Sequence, residues 1–172
     1  MNANECNANG PIGPETFSRL VDHHAAALEL FARQLCDAAP DVVQEAFVEL
    51  AAQNRVPRDV LAWLYCVVRN KALTAARAAR RRKRHEAEAA ARRPTWFVPA
   101  GSDVLDAQAV AAALESLDRE HREVVVARLW GGLTFQQIGR MLGTTDSTAH
   151  RHYEAALRLL RERMRSPCAK NQ

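Results

Sequence analysis

From Leu61 to Ala79 the apolar residues Leu61, Leu64, Val68, Ala72, Ala75 and Ala79 recur at three- and four-residue spacing. A helix with one buried face satisfies that spacing and a strand does not. Val60, Trp63 and Val67 widen the face on one side. Pro57 and Asp59 mark the start, so a helix is predicted from Arg58 to Arg84. Its other side carries Arg69, Asn70, Lys71, Arg77 and Arg80, and it ends in Arg81-Arg82-Lys83-Arg84. An apolar stripe, an aromatic pair (Trp63 and Tyr65) and a basic edge describe a core helix whose outer face meets a polyanion. A charge run alone would be read as a solvated surface. The remainder of the chain decides against that.

The same periodicity governs most of the 172 residues, of which 48% are hydrophobic and only 6% aromatic, with Ala and Leu dominant. Such a composition favours helices over sheets. The fold expected is all-α, with two small helical domains joined by a flexible linker, the C-terminal one a helix-turn-helix. Residues 1–14, rich in Asn, Gly and Pro, are expected to be a disordered tail. The first domain covers 15–85. In it Phe17, Val21, His24, Leu28, Phe31 and Leu35 form one seam, and Ala38-Ala39-Pro40 ends that helix. Asp41 and Gln44 read as a capping box for the next helix, which buries Val43, Ala46, Phe47 and Leu50. Pro94, Pro99, Gly101 and Ser102 mark a linker over 86–108, in which Trp96-Phe97 reads equally as an anchoring contact or a functional one.

The second domain covers 109–165, and 166–172 is a tail. A short helix ends at Leu114 and Leu117, and Asp118 caps the next, whose buried side is Val124, Val125 and Leu129 with Trp130. Gly131-Gly132 stops it. Thr134 and Gln137 repeat the capping-box signature, Gly143 closes that helix, and Thr144-Thr145 turns the chain. A longer helix runs from Asp146 to about Arg165, burying Ala149, Tyr153, Ala156, Leu157 and Leu160. Two helices joined by such a turn read as a helix-turn-helix, whose second helix enters the major groove. Ser147, Thr148, His150, Arg151 and Glu154 point outward. Arg151 suits a guanine edge, Glu154 a cytosine amine and Thr148 a phosphate.

The net charge is +4 and the pI near 9.2, but the cations gather. Arg69, Lys71, Arg77, Arg80 to Arg84, Arg92 and Arg93 are offset locally only by Glu86 and Glu88, which points to nucleic acid or an anionic surface. No apolar run has the length of a membrane span and the N-terminus lacks the blocks of a signal peptide. A cytoplasmic protein without membrane insertion is expected. Cys6, Cys36, Cys66 and Cys168 make no CxxC and are expected to be reduced. A metal at Cys36 with His23 and His24 is set aside because His24 falls on the apolar seam. No cofactor is expected. Neither a nucleophile triad, a phosphate-cradling Gly loop nor a carboxylate cluster for metals is present, so no enzyme is predicted.

LVDHHAAALELFARQL, DVVQEAFVEL, AWLYCVVRNKAL and LDREHREVVVARLWGGLTFQQIGRMLGTTDSTAHRHYEAALRLLRERM together resemble the extracytoplasmic-function (ECF) sigma factors, the sigma-70 family of bacterial RNA polymerase. Their pairing is the specific signal, since a lone helix-turn-helix occurs in many regulators. The resemblance implies a subunit that directs polymerase to promoters with defined −10 and −35 elements. It implies that Asp41, Gln44 and Glu45 dock on the β′ clamp helices. Tyr65, Arg69, Asn70 and Lys71, followed by Arg77, Arg80 and Arg81, would meet the −10 element, with Trp63 read as core. Ser147, Thr148, His150, Arg151, His152, Glu154 and Arg158 would meet the −35 element, and the first helices of the second domain the β flap. An anti-sigma factor or other regulator is an implied partner. The chain departs from the family pattern within both domains. Ala51 to Pro57 lacks F-R-G-D-x-x-F, and His150, His152 and Ala155 stand where Lys or Arg is frequent. The rival reading is a stand-alone helix-turn-helix regulator that acts without polymerase.

Overall fold

Pro14 opens the first of the helices in the computed structural model, which describes residues 10–85 and 104–165. Contacts group the helices into two units, the first holding α1 (Pro14–Arg33), α2 (Ala39–Ala51) and α3 (Val60–His85). The second holds α4 (Val104–Glu115), α5 (Arg119–Leu129), α6 (Phe135–Leu142) and α7 (Asp146–Arg165). No strand occurs among the described residues. The all-α class read from the helical periodicity is the class observed.

In the first unit all three helices contact one another. Leu28 and Phe31 of α1, Leu50 of α2 and Leu64, Tyr65 and Val68 of α3 are wholly buried. Each large apolar side chain so placed contributes about 1.5–3 kcal/mol. The Phe31 and Tyr65 rings meet edge-on at 5.1 Å, and Phe17 meets Phe47 likewise at 5.9 Å. Boundaries differ from expectation at three places. The stretch before α1 is fastened at Gly10, whose carbonyl accepts from the Val56 N–H at 3.1 Å. Helix α2 starts at Ala39, with Ala38 as N-cap and no side-chain cap, so the Asp41–Gln44 capping box does not form. Pro40 explains this: it has no N–H to leave unpaired and its fixed φ suits the first turn. Asp41 instead places its charge near the positive end of the helix. Asp59 precedes α3 and caps it, accepting from the Ala62 N–H at 3.1 Å.

In the second unit α7 packs on α4, α5 and α6. Helix α4 begins at Val104, inside the stretch expected as linker; the Trp96-Phe97 contact lies outside the described residues. Leu114, Leu117, Val125 and Ala156 form one core cluster, with Tyr153 and Leu160 half-buried against it. The burial expected for Leu129 and Trp130 is not found, and Leu129 is 54% exposed. The buried arc of α5 is centred one turn earlier, on Glu123 to Ala127, because the chain folds back after Gly132 (φ 66°). Leu133 is buried there and its N–H bonds to the Ala127 carbonyl. Glu123, wholly buried, is ion-paired to Arg119 at 3.3 Å.

Candidate nucleic-acid and partner interfaces

The outer face of α2 is a shallow groove lined by Asp41, Gln44, Glu45, Val48, Glu49 and Ala52, with Lys71 of α3 along one side. Asp41, Gln44 and Glu45 are exposed as expected of docking residues. Val48, 61% exposed, places an apolar side chain in the groove beside the carboxylates of Asp41, Glu45 and Glu49. Sequence reasoning passed over Val48, and read Glu49 as outward-facing without assigning it to docking. Their signal was a four-residue step from Gln44 to Val48 and from Glu45 to Glu49.

The residues assigned to the −10 element separate. Asn70, Arg77, Arg80 and Arg81 are exposed, and Asn70, Thr74, Arg77 and Arg81 line one stripe of α3 at steps of four, three and four. Arg69 is half-buried beside it. Two assignments need correction. Tyr65 is 0% exposed, with its ring against Phe31, so it offers no face to a base. Burial also drives its phenol pKa far above the ordinary value. Position 65 lies five residues before Asn70, which turns it to the opposite side of a 3.6-residue helix. Lys71 faces α2 instead of DNA: its Nζ lies 3.2 Å from Glu45 Oε2 and 3.2 Å from Glu49 Oε2. Desolvation works against its charge, but the hydrogen bonds and charges of Glu49 and Glu45 raise its pKa above the usual lysine value. Trp63 is half-buried. Cys36 and Cys66 are free thiols whose pKa values burial pushes up, which leaves them poor nucleophiles. Desolvation lowers the pKa of His24, with a smaller push from His23.

The helix-turn-helix is built as its signatures imply. Thr134 and Gln137 form both bonds of the capping box, and Gly143 closes α6 in the left-handed region at φ 71°. Gly139, which sequence reasoning missed, sets the turn: a Cβ there would lie 2.9 Å from the Thr144 carbonyl oxygen. A glycine inside an otherwise regular helix was the available signal. On α7 Ser147, His150, Arg151, Glu154 and Arg158 are exposed and Thr148 is half-buried. Thr145 Oγ1 accepts from the Thr148 N–H, and the Arg151 guanidinium reaches Thr148 Oγ1 at 3.5 Å. His150 lies edge-on to Phe135 and 3.8 Å from Glu154. His152 is the exception on this helix. Its ring packs 5.3 Å from that of His121 and 3.9 Å from Glu120, so it belongs to the α5–α7 contact. Among the described residues no cluster is placed to hold a metal ion, and no helix is long and apolar enough to cross a membrane.

The sigma-70 region 2 family matches residues 19–82, the α1–α3 unit, and the sigma-70 region 4 family matches residues 113–162, the helix-turn-helix unit. A region 2 helical unit followed by a helix-turn-helix is the make-up of a sigma-70-type initiation factor. The chain is also 33% identical over 150 residues to the ECF RNA polymerase sigma factor SigL of Mycobacterium tuberculosis, covering 83% of this chain and 85% of that protein. It belongs to the ECF sigma factors of the sigma-70 family, which act in promoter-specific initiation by RNA polymerase. Two solved structures share the fold. One is the sigma factor RpoE in complex with the anti-sigma factor NepR from Bartonella quintana (TM-score 0.70, 22% identity, 89% of this chain and 99% of that one). The other is CnrH in complex with the cytosolic domain of CnrY (TM-score 0.60, 24% identity, 90% and 91%).

Proposed function

We propose that the α2 groove docks on the clamp helices of the polymerase β′ subunit while the Asn70–Arg81 stripe of α3 meets the −10 element. In the second unit, Ser147, Thr148, His150, Arg151, Glu154 and Arg158 of α7 meet the −35 element, and the unit's first helices meet the β flap. The protein acts in the cytoplasm and has no catalytic chemistry of its own. It is controlled by an anti-sigma partner, a reading supported by the NepR-bound state of RpoE. One observation carries the docking assignment: an exposed valine shares its groove with the carboxylates of Asp41, Glu45 and Glu49, on a helix that also packs against α3. A stand-alone regulator gives that face no task. Gln44→Ala with Glu45→Lys is expected to leave helix content and melting temperature nearly unchanged, because both side chains are exposed. Assembly with core polymerase is expected to weaken by about 1–3 kcal/mol, as for a charge reversal at a docking surface. Holoenzyme formation at wild-type affinity, measured by titrating core polymerase, rules the docking face out.

A further inference from the structure

Lys71 stands next to Asn70 in sequence yet serves a different surface. Glu45 and Glu49 lie one turn apart on α2, where like charges repel. Lys71 Nζ sits 3.2 Å from an oxygen of each and hydrogen-bonds Glu45. The lysine side chain is 28% exposed and Glu45 64% exposed, so the lysine is packed into the groove wall and the carboxylate projects from it. We infer that Lys71 is a positioning residue of the polymerase-docking face, holding Glu45 and Glu49 on one side of Val48 in the arrangement the partner meets. The inference rests on the docking role given above to α2.

The physical reason is preorganisation. Glutamate loses several rotamers when it is fixed, and a partner that must order two of them binds less tightly than one that finds them ordered. A single cation bridging both carboxylates fixes them in the free protein and removes their mutual repulsion. The neighbouring Asn70–Arg81 stripe runs along another side of α3, so this task is separable from contact with DNA.

The test uses the full chain, core polymerase and a promoter fragment. Lys71→Met keeps the stem and removes the charge, and is expected to weaken assembly with core polymerase by about 3- to 30-fold. Lys71→Arg is expected to restore it. In a Glu45→Gln, Glu49→Gln background Lys71→Met is expected to have no further effect, a coupling that a general loss of stability does not produce. The salt dependence of promoter binding by preassembled holoenzyme stays unchanged. If assembly is unaffected and the salt slope falls by about 0.9, Lys71 is a phosphate contact and the inference is wrong. Tighter assembly overturns it too, because Lys71 would then merely compete with the partner for the carboxylates. If Glu45→Lys leaves assembly intact, the docking role of α2 has failed; if only Lys71→Met is silent, this inference alone has failed.

Discussion

Asp118 shows how much one side chain does at a helix start. Its Oδ1 accepts the His121 N–H at 2.9 Å and its Oδ2 lies 2.6 Å from the His121 ring. Desolvation pushes the carboxyl pKa up, but the His121 N–H and ring, with the charges of His121 and His152, outweigh it and bring the pKa below the usual value. A carboxyl depressed in the folded state stabilises at pH above its unfolded value of about 3.9 and loses that contribution as pH falls through the folded value. Asp118→Ala is therefore expected to cost about 1 kcal/mol at neutral pH, the usual loss for an N-cap. The deficit should shrink as the medium is acidified below about pH 4, which thermal melts of both proteins at several pH values would reveal. The cap was legible in the sequence because Asp118 directly precedes a helical pattern. The partners of Lys71 and His152 were not. Both sit on helices whose outward faces look alike in sequence, and only packing decides which neighbour a long or aromatic side chain turns towards.

Among the elements, the helices with strong punctuation are the most legible in sequence. Thr134–Gln137, Gly143 and Asp118 act locally, within one turn, so their effect survives whatever the tertiary context. The start of α2 is harder to read because two valid signals compete, and Pro40 outweighs the polar pair behind it. Leu129 and Trp130 mislead because apolar residues near a helix end look buried; the turn at Gly132 withdraws the chain and Leu133 fills the space instead. Gly139 carries the sharpest consequence. Its Cβ position lies 2.9, 3.0 and 3.1 Å from backbone atoms of Thr144, Thr145 and Asp146, none of which can swing aside as a side chain would. Gly139→Ala must therefore push α7 away from α6. We expect a loss of about 1–3 kcal/mol in the second unit, the range for overpacking, and weaker binding to −35 duplex. The control is Gln136→Ala on the exposed side of α6, expected to change stability by less than about 0.5 kcal/mol. Equal melting temperatures for Gly139→Ala and wild type would show that the turn is looser than its geometry.

At the scale of the whole molecule, the first unit carries charge of both signs on different faces. Asp41, Glu45 and Glu49 project from α2, while Arg77, Arg80, Arg81 and Arg82 are exposed on α3. A net charge of +4 conceals this division, which is why composition alone pointed to a polyanion and was silent about polymerase. The pairing of two helical units with different tasks was legible only through motif order. The division of labour predicts independent effects. Arg80→Gln, Arg81→Gln and Arg82→Gln together remove three exposed cations without touching the core. For every phosphate no longer neutralised, the log–log dependence of promoter affinity on salt is expected to flatten by about 0.9 for duplex, or about 0.7 where the strands are melted. The change should be nearly the same on promoters of different −10 sequence, since phosphates position a protein without specifying bases. Assembly with core polymerase should stay at wild-type affinity, because the groove on α2 keeps every residue that lines it. Titrating the triple variant as holoenzyme against two promoters over a range of salt, and against core polymerase alone, measures all three quantities. A slope equal to wild type would make the arginines a solvated face; a loss confined to one promoter would make them readers of sequence.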